Sequence, residues 1–253
     1  MGEGATPRVQ GQVAGQVLAQ GLDGFVVRFG DRVSEPANRA ALAFRAALER
    51  EGWAGVEETA PALVSVFVRF DPRAMGHDAM AARLRGFLES RDWHAAELGP
   101  RRRLWRIPTV YGGADGPQLA EAAEMAGLAP EAAARELAGC RLRVLAIGFA
   151  PGQPYLGELP SHWAIPRQTA LTPEVPEGSV TVAVRQVVLF ANPSPTGWRR
   201  VGRTAFRCFR PEAAEPFPLR PGDEAVFEAV NAEAMARIRD DDPAGGGAVA
   251  APL

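Results

Sequence analysis

Apolar residues recur along the chain at two different periods, and the change of period divides it. The run GFVVRF from Gly24 to Phe29 is short, apolar and β-branched, which predicts a strand. Asp31 to Pro36 then supplies turn and capping residues. Ala40, Ala41, Phe44, Ala47 and Leu48 follow at helical spacing with Arg45, Glu49 and Arg50 facing away, so a helix is expected over 40–50, ended by Gly52. Glu57 to Phe70 contains LVSVFVRF, a second strand, and Asp78 to Ser90 shows a second helical stripe through Met80, Leu84, Phe87 and Leu88. Strand, helix, strand, helix predicts a small two-layer α+β sandwich with both helices on one face of a sheet, placed at residues 20–97.

From Arg103 the character changes to a strand, LWRIPTVY, helices over 116–126 and 130–138, and a strand, RLRVLAIGF, after which no helix is expected. Residues 148–230 hold most of the prolines and the short runs SVTVAV, QVVLFA, AFRCFR and EAVFEAV, separated by Pro and Gly turns. That spacing predicts a closed or sandwiched β domain, placed at 98–232. Residues 1–19 are Gly, Gln and Ala without a sustained period, and 233–253, ending DDPAGGGAVAAPL, read as a flexible tail; both ends are expected to be disordered.

Composition narrows the chemistry. A chain of 253 residues, 47% of them hydrophobic, can bury one large core or two modest ones. Its net charge is -2 and every cation is arginine, for the sequence has no lysine. A P-loop lysine, a Schiff base and a lysine general base are therefore excluded, and any ATP is expected to bind another subunit. The near-neutral balance leaves no electrostatic footprint for nucleic acid, and the cluster Arg101, Arg102, Arg103 and Arg106 reads as a solvated strand edge or partner contact. Cys140 and Cys208 have no CxxC spacing and no matching histidine cluster, so no metal site or disulfide framework is signalled and a reducing cytoplasm fits. No charged-then-apolar leader and no run of about 18 apolar residues is present, so neither a signal peptide nor a membrane span is expected. Met1 to Thr6 fits the loose N-myristoylation pattern, but the arginine-only, alanine-rich composition looks like a GC-rich bacterial gene and lipidation is not expected.

Several dense motifs carry a resemblance. Gly148-Phe149-Ala150-Pro151-Gly152-Gln153-Pro154-Tyr155-Leu156-Gly157 is similar to a GFxPGFPYLGG signature, with Gln153 and Glu158 as departures. Ile107-Pro108, Tyr111-Gly112-Gly113 and Gly116-Pro117 match the same family upstream, and Pro166-Arg167, Val175-Pro176, Gly178-Ser179-Val180, Ser194-Pro195, Gly197-Trp198, Gly202-Arg203-Thr204 and Leu219-Arg220-Pro221-Gly222-Asp223 match it downstream. Over about 105–230 the chain thus resembles the family of 5-oxoprolinase B-type subunits, also called allophanate hydrolase subunit 1. The resemblance implies an α+β N-terminal domain followed by a cyclophilin-like closed β-barrel. It also implies a subunit that pairs with a larger, related C-type subunit and, with a third, opens 5-oxoproline to glutamate at the expense of ATP. Relatives include carboxyltransferase domains and a histidine-kinase inhibitor.

Opening a lactam through a phosphorylated intermediate needs cationic or backbone donors for the developing oxyanion and a polar group to place water. Arg167 and Arg203 are the obvious donors, each also readable as a structural tie. Gln186 and His162 are further candidates for the chemistry, and Pro151, Gly152, Gln153 and Tyr155 for a rigid pocket-lining loop, with a plain barrel corner as the alternative. Trp163 and Trp198 can stack on a ring or fill the core. The family's AGxQTGIYP segment is Ala183 to Ala191 here, where Val187, Val188 and Phe190 replace a threonine, a glycine and a tyrosine; its second Pro-Arg is Leu171-Thr172, and its histidine near Leu137-Ala138 is gone. Three functions are therefore carried forward. One is a subunit of an ATP-dependent 5-oxoprolinase-type amidohydrolase. Another is a repurposed cyclase or lyase acting on a less polar metabolite, in a pocket lined by Val184, Val188 and Phe190. The last is a non-catalytic regulator that binds a protein.

Overall fold

The computed structural model describes residues 15–99 and 102–253, in two compact units that divide between Leu98 and Gly99. In the first unit β1 (Gln16–Ala19), β2 (Gly24–Arg28), α1 (Glu35–Glu51), β3 (Val56–Pro61), β4 (Ser65–Phe70) and α2 (His77–Glu89) follow in order. The strands make one antiparallel sheet ordered β1-β2-β4-β3. Strand alternation sends Phe25, Val27, Val66, Val68 and Phe70 into one core with Ala40, Phe44 and Leu48 of α1 and Met80 and Leu84 of α2. Ser34 caps α1 by accepting from the Ala37 N–H, and Gly52, at φ 56°, ends it in the left-handed region that glycine adopts without strain.

Two expectations for this unit change. The run 57–70 is a hairpin of two strands, closed where the Ala62 N–H donates to the Ser65 carbonyl at 2.8 Å. Residues 16–19, read from composition as part of a disordered lead-in, pair with β2 from Gln16–Arg28 to Ala19–Phe25. A free edge of β2 supplies backbone partners whatever the side chains of β1, which is why periodicity does not reveal it. The rest of that lead-in, 1–14, lies outside the described residues.

The second unit contains β5 (Arg103–Arg106), β6 (Val110–Tyr111), α3 (Leu119–Met125), α4 (Pro130–Gly139), β7 (Leu142–Ile147), β8 (Pro154–Gly157), β9 (Thr172–Val175), β10 (Ser179–Ala183), β11 (Gln186–Leu189), β12 (Ser194–Thr196), β13 (Arg199–Arg203), β14 (Glu224–Val226), α5 (Ala232–Asp241) and β15 (Val249–Pro252). Among the described residues nine strands form one sheet in the order β15-β5-β14-β7-β8-β11-β10-β13-β6, and β9 and β12 form a separate two-stranded ribbon. β5 pairs with β14, Thr109 bridges Ala229, and β6 pairs with β13. One segment, 103–111, therefore touches strands near both ends of the sheet, which curls round a core of Ile107, Val144, Leu156, Trp163, Val182 and Val187. Ala122 and Ala123 of α3 and Leu137 of α4 join the same core.

Four further expectations are corrected here. The C-terminal stretch 233–253 is built into the fold: Asn231 caps α5 by accepting from the Ala234 N–H, Met235 is buried, and β15 pairs antiparallel with β5. Helix formation therefore continues past residue 148. The run AFRCFR forms no strand although Phe206 and Cys208 are buried, because its backbone groups bond elsewhere: the Phe206 N–H to Thr204 Oγ1 and the Arg207 N–H to the Ala244 carbonyl. The arginine cluster is neither an edge nor bare. β5 lies between β14 and β15, and Arg102, Arg103 and Arg106 pair with Glu224, Asp223 and Glu228; Arg101 lies outside the described residues.

The β10–β11 hairpin turns through Val184 and Arg185, at φ 45° and 63°. Positive φ at both central residues is the type I′ hairpin turn, and Val184 stands at the first glycine of the family pattern. Val184 N–H donates to the Ile165 carbonyl at 2.8 Å and Arg185 N–H to the Trp163 carbonyl at 3.0 Å, so the loop beneath holds the turn in place. A β-branched residue in this region costs about 1–3 kcal/mol, and the Val184 side chain is half exposed, so little packing offsets that cost. Val184→Gly is expected to stabilise the protein by about 1 kcal/mol in urea unfolding; an unchanged or lower midpoint would show that the turn is unstrained.

Candidate functional site

The sheet has two faces, and the alternation of β10, β11 and β8 separates them. Val180, Val182, Val187, Leu189 and Leu156 point into the large core. Their neighbours Thr181, Ala183, Val188 and Tyr155 point the other way, with Tyr155 opposite Val188 and Val188 opposite Thr181 in register. On this outward face Ala183, Val188 and Phe190 pack with Val175 of β9 and with Trp198 in a second, smaller cluster, and Tyr155 lies against it. The ribbon that covers the face is rich in proline, Pro173 and Pro195, both exposed, as expected of strands with a free edge.

Tyr155 and Trp198 meet edge to face, with centroids 6.2 Å apart. The Arg167 guanidinium stands over the Trp198 ring, 5.2 Å from its centre. Its flanks are tied down: Arg199 Nη1 donates to the Pro166 carbonyl at 2.6 Å, Gln168 N–H to the Gly197 carbonyl at 2.7 Å, and Gln168 Nε2 to the Trp198 carbonyl at 3.1 Å. Gln118 Nε2 in turn donates to Gln168 Oε1 at 2.7 Å. Among the described residues no carboxylate pairs with Arg167, which is exposed. An arginine fork fixed over an aromatic pair and lacking a counter-ion can take a carboxylate or phosphate oxygen while the rings take an apolar or planar group.

A model of the carboxyltransferase domain, subdomain C and D, matches residues 16–219, which include every residue of this face. The chain belongs to that family. It is 31% identical to the B-type subunit of 5-oxoprolinase from Bacillus subtilis (strain 168) over 223 residues, covering 85% of this chain and 93% of that protein, and it is a relative of that subunit. The solved structure of TTHA0988 matches at 35% identity and a TM-score of 0.69, over 82% of this chain and 40% of that one, so this chain spans less than half of TTHA0988. The urea amidolyase of K. lactis shares the mixed α/β fold, with a TM-score of 0.73 at 16% identity over 94% of this chain and 16% of that one.

In this chain the signature loop is a rigid corner. Gly152 has φ 74°, and a Cβ there would lie 2.4 Å from the Cys208 carbonyl oxygen, so only glycine fits. Pro151 is exposed at the corner, and Gln153 is buried with its Oε1 lacking a hydrogen-bond partner. Gln186 is buried on the outward face of β11, in register with Ala183 and Gly157. The left-handed residues in the altered segment are Val184 and Arg185, while Val188 lies in a regular strand.

Other sequence candidates lie apart from the Arg167–Trp198 pair. Trp163 is in the large core, its Nε1 donating to Glu136 Oε1 at 2.5 Å, and His162 Nε2 sits 2.7 Å from the same oxygen. Arg203 Nε donates to the Glu177 carbonyl at 3.1 Å. Val184 is at the hairpin tip, half exposed, rather than in the cluster with Val188 and Phe190. Val175 and Ala183, which do line it, were missed, since nothing in their own segments says which ribbon covers which face. Cysteine nucleophiles are disfavoured: burial pushes the Cys208 thiol up to about 12, and burial followed by the Glu136 charge raises Cys140. Among the described residues no group of three His, Cys, Asp or Glu is placed to hold a metal, and no helix is long and apolar enough to cross a membrane.

Proposed function

We propose that this chain is the B-type subunit of a cytoplasmic, ATP-dependent 5-oxoprolinase-type amidohydrolase, working with a larger related subunit, and that its second unit is a closed cyclophilin-like barrel. The observation that carries the reading is the match to the B. subtilis protein across 93% of its length. The outward face is compatible with the chemistry. Arg167 supplies a fork for the substrate carboxylate, and Tyr155 and Trp198 supply walls for a five-membered ring. The chain has no lysine and no P-loop, so a P-loop ATP site falls to a partner.

The test is ATP-dependent release of glutamate from 5-oxoproline by a working complex in which this chain replaces the resident B-type subunit. Activity is expected, and Arg167→Ala is expected to lower kcat/KM by about 10- to 150-fold, the loss of one charge-assisted contact of about 1.5–3 kcal/mol. A complex that assembles but releases no glutamate refutes the assignment. That result would favour the second reading, a cyclase or lyase for a less polar metabolite, which the apolar Val188 and Phe190 at the family's glycine and tyrosine positions support. Wild-type turnover in Arg167→Ala would remove Arg167 from the site.

A further inference from the structure

Strand β13 carries a bulge, and the bulge puts two arginines on the outward face. Pairing with β10 runs Ser179–Arg203 and Val180–Gly202, then shifts by one residue to Thr181–Arg200 and Val182–Arg199. Without the shift, residues three apart on a strand point to opposite faces. With Val201 as the extra residue, Arg200 and Arg203 flank Thr181 and Ser179, and both face away from the core that holds Val180, Val182 and Val201. Two residues of strand separate their partners, about 7 Å. Closeness shows in the charge as well: burial comes first and the Arg203 charge second in holding Arg200 below its usual range.

Among the described residues neither arginine forms an ion pair. Arg200 Nη2 donates to the Ala114 carbonyl at 3.0 Å and Arg203 Nε to the Glu177 carbonyl at 3.1 Å, which fix the side chains without neutralising them. The nearby carboxylates do not substitute: Glu177 pairs with Arg207 at 3.5 Å, and Asp115, which partly offsets the Arg203 charge on Arg200, forms no ion pair with it. The Ser179 and Thr181 hydroxyls between them are already donated, to the Pro176 carbonyl at 2.6 Å and the Val188 carbonyl at 3.3 Å. Both arginines are half-buried, so solvent reaches them. Two like charges oriented by carbonyls on one face, with guanidinium donors to spare, are stabilised by a shared anion.

We infer that Arg200 and Arg203 form an oxyanion-binding subsite for a phosphate group. Phosphate fits better than a single carboxylate because its charge of about -2 matches both guanidinium groups and its oxygens can accept from each fork. The same chemistry is offered by free phosphate and by the terminal phosphate of a nucleotide. The subsite does not depend on which cyclic amide the complex opens.

Calorimetric titration of the full chain with inorganic phosphate, and in a second arm with ATP, tests this at constant ionic strength against chloride. Binding is expected in at least one arm, and Arg200→Gln and Arg203→Gln are each expected to weaken it tenfold or more. Arg237→Gln, an exposed arginine on α5, should leave it unchanged. Arg203→Lys, which keeps the charge but loses the fork, should give an intermediate affinity and covers the case in which the glutamine variant fails to fold. Tighter binding of ATP than of phosphate, with the same arginine dependence, would assign the subsite to a nucleotide. Equal binding by Arg200→Gln, Arg203→Gln and the unaltered chain, or no binding of either probe, would overturn the subsite.

Discussion

Asp223→Ala is expected to cost about 3–5 kcal/mol of folding stability, the loss that follows when one partner of a buried ion pair is removed. Asp223 is 2% exposed and collects five donors: the Arg103 N–H at 3.0 Å, Arg103 Nη2 at 2.6 Å and Nε at 3.4 Å, Trp105 Nε1 at 3.2 Å and the Arg220 N–H at 3.1 Å. Those bonds join β5 to the turn before β14, next to the strands where the sheet curls back. Without the carboxylate the indole and two backbone N–H groups lose their acceptor, and Arg103 keeps only the Pro218 carbonyl, at 2.6 Å. Asp223→Asn retains the shape but turns one oxygen into a donor facing donors, so an intermediate loss is expected. Urea unfolding measures both. A loss below about 1 kcal/mol for the alanine variant, the scale of an exposed pair, would mean that solvent replaces the carboxylate.

Trp163→Ala is the second large effect, again about 3–5 kcal/mol, the usual range for emptying a buried tryptophan site. Trp163 is among the largest fully buried side chains and belongs to the core inside the curled sheet. Trp163→Phe keeps most of the volume and forfeits the bond to Glu136, whose Oε1 still has His162 Nε2 at 2.7 Å, so a loss of about 0.5–1.5 kcal/mol is expected. Ligand affinity separates the two roles that tryptophan can play. The phenylalanine variant should bind the substrate as the unaltered chain does, whereas a tenfold weakening would place Trp163 against the ligand and contradict its position in the core. The opposite is expected at Trp198, which lies under Arg167.

Much of the fold was legible because local periodicity and turn chemistry decide it. The helix stripe through Ala40, Phe44 and Leu48, its Gly52 end, the strands SVTVAV and QVVLFA, and the Gly152 corner all follow from the residues themselves, although α1 starts at Glu35, five residues ahead of the expected start at Ala40. The motif LRPGD marked the turn that carries Asp223, and Pro166-Arg167 and Gly197-Trp198 marked the pair now stacked on the outward face. The elements that escaped are those whose stability comes from a partner strand. β1 and β15 have weak apolar patterns and exist because β2 and β5 offer unpaired backbone groups, while AFRCFR alternates like a strand but its backbone bonds to loop residues and to no strand. The site divides in the same way. Residue types set against the family's motifs put forward Arg167, Tyr155, Val188, Phe190 and Trp198, since those motifs mark the positions and arginine forks and large aromatics carry their chemistry with them. Separating Trp163 from Trp198, and placing Arg200 beside Arg203, required the register, because a one-residue shift reverses the face of every side chain beyond it and sequence spacing does not record where the shift occurs.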